Sequence, residues 1–322
     1  MFFPLFLFTG CPGVDHFAAF TDSDTGFSLD EETVWEGTVP GGGFGTRIVN
    51  NGTITYISAP YSAQIFLSFD GEQPVAAYDF PSASFGGSGL ALVGDGVFAG
   101  APLDGDGRIV QLGLGDIATG EGLGGVIAGS DDLWVASTRS GWQSLVYGSK
   151  ELGRRPDSLA HAWFTPVVAG AAWGETALWL GDTAIPRQYA GDEAGYALLE
   201  WTQASSSIYG LLVGAPGEGA VYAFTSEREW IKLASSPGTR FGSAIAAGDY
   251  SRILIGAPGY GTEHQGAVFA YHTDTKVLDL VLEGQPGDEL GTSIAVLHTV
   301  FFAGAPGGAT SVGKVYVQTL PE

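Results

Sequence analysis

Apolar residues in this chain come in short runs. Ile253-Leu254-Ile255, Val221-Tyr222-Ala223-Phe224 and Val300-Phe301-Phe302-Ala303 are each about strand length and bounded by Gly, Pro or a polar turn. Long runs at helical period are absent, and β-branched and aromatic residues alternate with small ones. The pattern predicts short strands joined by tight turns.

The runs repeat in a fixed order. Phe241-Gly242 opens a small apolar strand, a turn follows, and a second strand ends in Gly256-Ala257-Pro258. Pro cannot donate a ladder hydrogen bond and belongs at a strand end. A Gly-rich loop leads to a third strand, Ala267 to Tyr271, and a fourth segment completes the unit. The same order returns at Leu290-Gly291 with Gly304-Ala305-Pro306, and at Phe85-Gly86 with Gly100-Ala101-Pro102. The second-strand ends fall at Ser58, Gly100, Ala136, Gly181, Gly214, Gly256 and Gly304, about 41 residues apart on average. That period suits a four-stranded propeller blade. The expected fold is therefore all-β: a seven-bladed β-propeller of antiparallel blades, with six blades the alternative.

These Phe-Gly and Gly-Ala-Pro pairs resemble the FG-GAP repeat family, the unit of the integrin α-subunit propeller. The resemblance covers most of the chain from Phe44 onward. It implies that ligands meet one face of the disc, where the loops after strands two and four emerge. On that face the expected contacts are Trp142, Tyr260 and His264 after second strands, Arg154 and Arg155 in a four-to-one connection, and Arg187. Many members of the family also hold calcium between strands one and two. Here those turns are stripped, as in Val93-Gly94-Asp95-Gly96, and one carboxylate cannot supply six to eight oxygens. Asp104-Gly105-Asp106-Gly107 lies in a different connection and reads as a tight turn.

The array starts with a lone fourth-strand segment, Thr33 to Thr38, and ends with a third strand, Lys314 to Thr319. Open sheet edges invite pairing with other chains. The two ends are expected to pair in one blade, so that residues 33–322 form the propeller.

Composition changes the picture in two places. The chain has 35 acidic and 13 basic residues, a net charge of −22, which repels nucleic acid and anionic lipid surfaces. The N-terminus, Met-Phe-Phe-Pro-Leu-Phe-Leu-Phe-Thr-Gly-Cys11, is apolar and too short to span a bilayer. It resembles a bacterial lipoprotein signal, which implies residues 1–10 as signal peptide, lipidation of Cys11, an acidic tether over 11–32, and a place in the cell envelope or on the extracellular surface. Cys11 is the only cysteine, so no intrachain disulfide forms.

Catalytic patterns are thin. His16, His161, His264, His272 and His298 show no metal-ligand spacing, no Gly-x-Ser-x-Gly elbow occurs, and paired carboxylates sit in turns. The reading expects no catalytic residues, no metal and no cofactor. It points to a monomeric surface protein that binds a protein or glycan. A carbohydrate- or lipid-active enzyme and a structural envelope component are the rivals. Converging Asp, Glu or His at the central channel mouth would favour the enzyme; an uncharged mouth would favour the binder.

Overall fold

The computed structural model describes residues 33–320 apart from 70–71, 131–132, 140, 145–147, 152–157, 163–164, 170–176, 181–182, 187–192, 203–208, 226 and 249–250. Among the described residues every regular element is a β-strand, and the strands pair antiparallel in fours.

Five blades are described almost throughout. Blade A holds Arg47–Asn50, Ile54–Ala59, Gln64–Phe69 and Val75–Asp79. Blade B holds Gly89–Val93, Gly96–Ala101, Arg108–Gln111 and Gly115–Thr119. Blade E holds Leu198–Thr202, Tyr209–Ala215, Ala220–Thr225 and Trp230–Ser235, and blade F holds Ala244–Ala247, Arg252–Ala257, Ala267–His272 and Leu278–Glu283. The last blade, G, takes Ser293–Leu297, Val300–Ala305 and Lys314–Thr319 from the end of the chain and Thr33–Glu36 from its start. Between B and E, the described strands from Ile127–Ser130 to Gly148–Glu151 and from Ser158–Ala162 to Thr183–Pro186 pair as two further sheets, C and D.

The first strands touch one another in chain order, and Ser293–Leu297 returns to Arg47–Asn50. The architecture is a β-propeller with these strands around the axis. In blades A, B, E and F the pairing of strands three and four shifts register at one place, between Ile65 and Phe66, Ile109 and Val110, Val221 and Tyr222, and Val268 and Phe269. A bulge there increases the local twist toward the outer strand.

One contact recurs between blades. The glycine of each Phe-Gly pair donates its N–H to the second-strand end of its own blade: Gly242 to Gly256 (2.9 Å) and Gly291 to Gly304 (3.0 Å). Its carbonyl faces the glycine of the preceding blade. A β-carbon at Gly214 would lie 2.0 Å from the Gly242 oxygen, one at Gly256 1.9 Å from Gly291, and one at Gly304 1.9 Å from Gly45. Real atoms do not approach so closely, so the Gly of Gly-Ala-Pro is set by the next blade's backbone.

This contact corrects the sequence alignment in blade B and sheet C, and the strand bounds correct it in sheet D. In blade B the donor to Gly100 is Gly87, not Gly86 (2.8 Å). The ring of Phe80 lies 2.2 Å from where a β-carbon of Gly86 would be, so it fills the site that the side chains of Phe44, Phe241 and Leu290 fill in their blades. Those blades reverse the sizes: Gly37 stands against Phe44, and Gly284 against Leu290. In sheet C the acceptor for Gly124 is Ser137, one residue beyond the expected Ala136 (2.9 Å). In sheet D the second strand is Thr165–Ala169, and Thr183 already begins the fourth; the Gly181-Asp182-Thr183 triplet therefore does not end strand two. Leu159, expected to open this unit, lies inside its first strand opposite Val168.

The ends of the chain meet as the sequence suggests. Thr33 lies opposite Val317, Val34 opposite Tyr316, Trp35 opposite Val315 and Glu36 opposite Lys314. More than backbone bonding holds this strand. Trp35 is 2% exposed, its ring lies 5.6 Å from that of Phe302, and it joins Phe44, Ile57, Phe66 and Val317 in one core that spans blades G and A.

Two substitutions at this seam test the account. Gly304→Ala should cost about 1–3 kcal/mol by overpacking, and Trp35→Ala about 3–5 kcal/mol by cavity formation. Gly308→Ala, whose β-carbon would meet nothing within 4 Å, should be near neutral. Denaturant unfolding of the three proteins separates them, and equal midpoints for Gly304→Ala and Gly308→Ala would sink the inter-blade constraint.

Candidate functional site

The loops that carry Phe-Gly and those that follow Gly-Ala-Pro emerge on one face. There the first strands open into an axial cavity of about 260 Å³. The residues that line it fall into register with the repeat. Counting from the inter-blade glycine, position three is Ile48, Leu90, Ile127, Leu198, Ile245 or Ile294, an apolar collar. Position two is Gly89, Val126, Ala197, Ala244 or Ser293, all small, but in blade A it is Arg47.

Position one carries a serine or threonine hydroxyl in four blades and Tyr196 in blade E. Thr46, Ser88, Ser243 and Thr292 each donate to the carbonyl three residues earlier, on Gly43, Phe85, Arg240 and Glu289, at 2.6–2.8 Å. The acceptor residues all have positive φ, between 53° and 72°. Each hydroxyl thus closes a turn that leads into the first strand, and its proton is spent on that turn.

Several carboxylates of this face are engaged by cations. Asp104 meets Arg108 at 2.5 Å, Glu121 meets Arg139 at 2.8 Å, and Glu193 meets Arg240 at 3.2 Å. Glu218 meets Lys232 at 2.5 Å and accepts from the Tyr222 hydroxyl at 2.5 Å. Burial pushes the Glu218 carboxyl up, but the hydrogen bonds from Lys232 and Tyr222 and the Lys232 charge outweigh it, and the group lies below its ordinary value. Asp288 is 4% exposed and is held by Lys314 (2.8 Å), the Tyr316 hydroxyl and the Gln285 N–H (3.0 Å). Paired this way, these groups neutralise one another and secure loops more than they add stability.

Arg47 differs from these cations. Among the described residues no carboxylate lies within ion-pair distance of it. The described part of the cavity lining contains no Asp, Glu or His. The sequence reading did not single out Arg47. The signal was available: Phe44-Gly45-Thr46-Arg47 aligned with Phe241-Gly242-Ser243-Ala244 and Leu290-Gly291-Thr292-Ser293 leaves one residue out of pattern.

The residues expected on this face are dispersed. Tyr260 is half-buried with its ring edge-on to Phe269 at 5.6 Å, so it supports the blade F core. His264 is exposed at φ 54°, and its carbonyl accepts the Glu289 N–H, tying one loop to the next. Trp142 does not lie in a loop; it belongs to the strand Gly141–Ser144, opposite Ser137 and Lys150. Arg154, Arg155 and Arg187 lie outside the described residues, as does Cys11. The register shift in blade B brings out a further aromatic: Phe85, at φ 53°, is half-exposed and meets the ring of Tyr61 at 5.4 Å, with Tyr61 itself 66% exposed.

Comparison with known proteins agrees on architecture. No protein-family model matches this chain, and no curated protein matches it in sequence. Among solved structures, virginiamycin B lyase from Staphylococcus aureus superposes with a TM-score of 0.65 at 12% identity, covering 90% of this chain and 99% of that one. The WD40 β-propeller domain of Doa1 gives 0.59 at 10% identity, over 88% and 94%. A chain of the mitotic checkpoint complex gives 0.61 at 10% identity, over 100% and 98%. At these identities the likeness concerns the fold alone.

The expected independence from calcium is open to test. The Asp104 carboxylate is taken by Arg108, and the described residues contain no group of three or more His, Cys, Asp or Glu that could hold a metal. A chelator should leave the melting temperature unchanged, because only a ligand of the folded state shifts it. A clear drop in a calorimetric scan with chelator would reveal a cation site.

Proposed function

We propose that this chain is an FG-GAP-type propeller of seven blades that binds a protein or glycan on its axial face and does not transform it. One observation carries this reading. The described lining of the axial cavity offers an apolar collar, serine and threonine hydroxyls with their protons already committed, the Tyr196 phenol and one arginine, but no Asp, Glu or His. General acid–base chemistry needs a titratable group within hydrogen-bond reach of the reacting atom. Three carboxylates of the face, Asp104, Glu121 and Glu193, are instead paired with Arg108, Arg139 and Arg240. The blade number is supported by the seven four-stranded sheets that the described strands form.

A glycan and protein-partner screen against the chain should return a ligand whose binding weakens when Tyr61→Ala removes the exposed ring. Mass spectrometry of that ligand after prolonged incubation should find it chemically unchanged. Recovery of a cleaved or eliminated product would replace the binding reading with an enzymatic one.

We propose further that the protein is exported and tethered by a lipid on Cys11, on the strength of Leu7-Phe8-Thr9-Gly10-Cys11 and the acidic residues that follow. Cys11→Ala should release it from membranes into the aqueous fraction. Equal partitioning of the two proteins would remove the anchor.

A further inference from the structure

We propose that the axial cavity is a site for a sugar acid, a ligand with one carboxylate and several hydroxyls, with Arg47 as the carboxylate's partner. This rests on the reading of the axial face as a binding surface and names what it takes.

The argument starts from the repeat. Every other described residue at the Arg47 position is Gly, Val, Ala or Ser, because the first strands crowd the axis. An arginine there is the least expected residue on packing grounds. It stands at the mouth of a cavity in a protein of charge −22, with no carboxylate among the described residues close enough to pair with it. Arg108, Arg139, Lys232, Arg240 and Lys314 on the same face all have one. A guanidinium in a partly desolvated site selects planar two-oxygen anions, which it can meet with two parallel hydrogen bonds.

Beside the Tyr196 phenol, three serine and threonine hydroxyls with fixed protons set the rest of the ligand. Ser243 Oγ donates to the Arg240 carbonyl (2.8 Å), Thr292 Oγ1 to the Glu289 carbonyl (2.8 Å) and Ser293 Oγ to the Gly45 carbonyl (2.7 Å). With the proton committed, each oxygen can only accept. Sulfate and chloride have no proton to donate to them. A molecule that carries hydroxyl donors beside its carboxylate satisfies both sets, and a volume of about 260 Å³ admits a single sugar ring. The collar of Ile48, Leu90, Ile245 and Ile294 beneath supplies an apolar floor for its C–H face.

Titration calorimetry with glucuronate as the probe tests this, with glucose, acetate and tri-glutamate as comparisons. Glucuronate should bind. Glucose keeps the hydroxyls and lacks the carboxylate, acetate the reverse, and both should bind at least about tenfold more weakly. Arg47→Gln should lose about tenfold or more in glucuronate affinity, with an unchanged melting temperature because no carboxylate among the described residues pairs with Arg47. Arg47→Lys should retain part of the affinity as a point charge. Glucuronate binding unaffected by Arg47→Gln, no glucuronate binding at all, or tighter binding of tri-glutamate would each overturn the proposal. A partner found on this face whose affinity ignores Arg47→Gln would overturn the sugar-acid site and leave the binding reading standing.

Discussion

The contact between two glycine backbones at each blade boundary is the constraint on which the rest of this structure depends. The carbonyl of Gly45 sits where a side chain of Gly304 would be, and the Gly291 carbonyl does the same to Gly256. The N–H beside that carbonyl binds the second-strand end of its own blade. One glycine therefore ties strand to strand within a blade and blade to blade around the ring. Its positive φ, 90° at Gly45 and Gly291 and 94° at Gly242, is open to glycine at little cost and rarely to other residues. A ring that must close cannot relax one such contact without opening another, which is why the motif persists where the intervening strands diverge.

Where that glycine pair is intact in sequence, the fold was legible. Blades E, F and G follow their Phe-Gly and Gly-Ala-Pro marks, and Gly191-Asp192-Glu193-Ala194-Gly195 predicts the turn that Glu289 and Gly291 form in blade G: Glu193 and Glu289 share φ 55°, and Gly195 and Gly291 make the same bond. The slips in blades B and C have a physical origin. Blade B exchanges the sizes of two residues in contact, so that Phe80 and Gly86 do what Gly37 and Phe44 do in the neighbouring seam. A Phe-Gly pair is still present at Phe85-Gly86, but one residue early, and its ring lies against Tyr61 and not in the core. In sheet C, Ser137 stands in for the glycine, and no letter in the sequence distinguishes it from Ala136. A conserved contact between positions was visible only once both partners were placed.

The site was less legible than the fold because the sequence advertises the wrong residues. Loop aromatics and arginines attract attention, yet Tyr260 is spent on packing and His264 on joining loops through its backbone. Carboxylates on the same face look like chemistry until their cations are found: Asp288 is buried against Lys314 and Tyr316, and Asp104 against Arg108. Arg47 is inconspicuous by type, and its meaning comes from the five small residues that occupy its place elsewhere.

That contrast bears on how a repeated ring acquires specificity at all. A propeller made of similar blades presents nearly the same atoms to its axis from every side, and such a surface cannot orient an asymmetric ligand. At the second position after the inter-blade glycine the other described residues are Gly, Val, Ala or Ser, and Arg47 is the exception. It breaks the symmetry of the collar with a single charge, while the serine and threonine oxygens fixed by the turns recur in four of the blades. Folding thus supplies the uniform part of the site and one substitution supplies its direction.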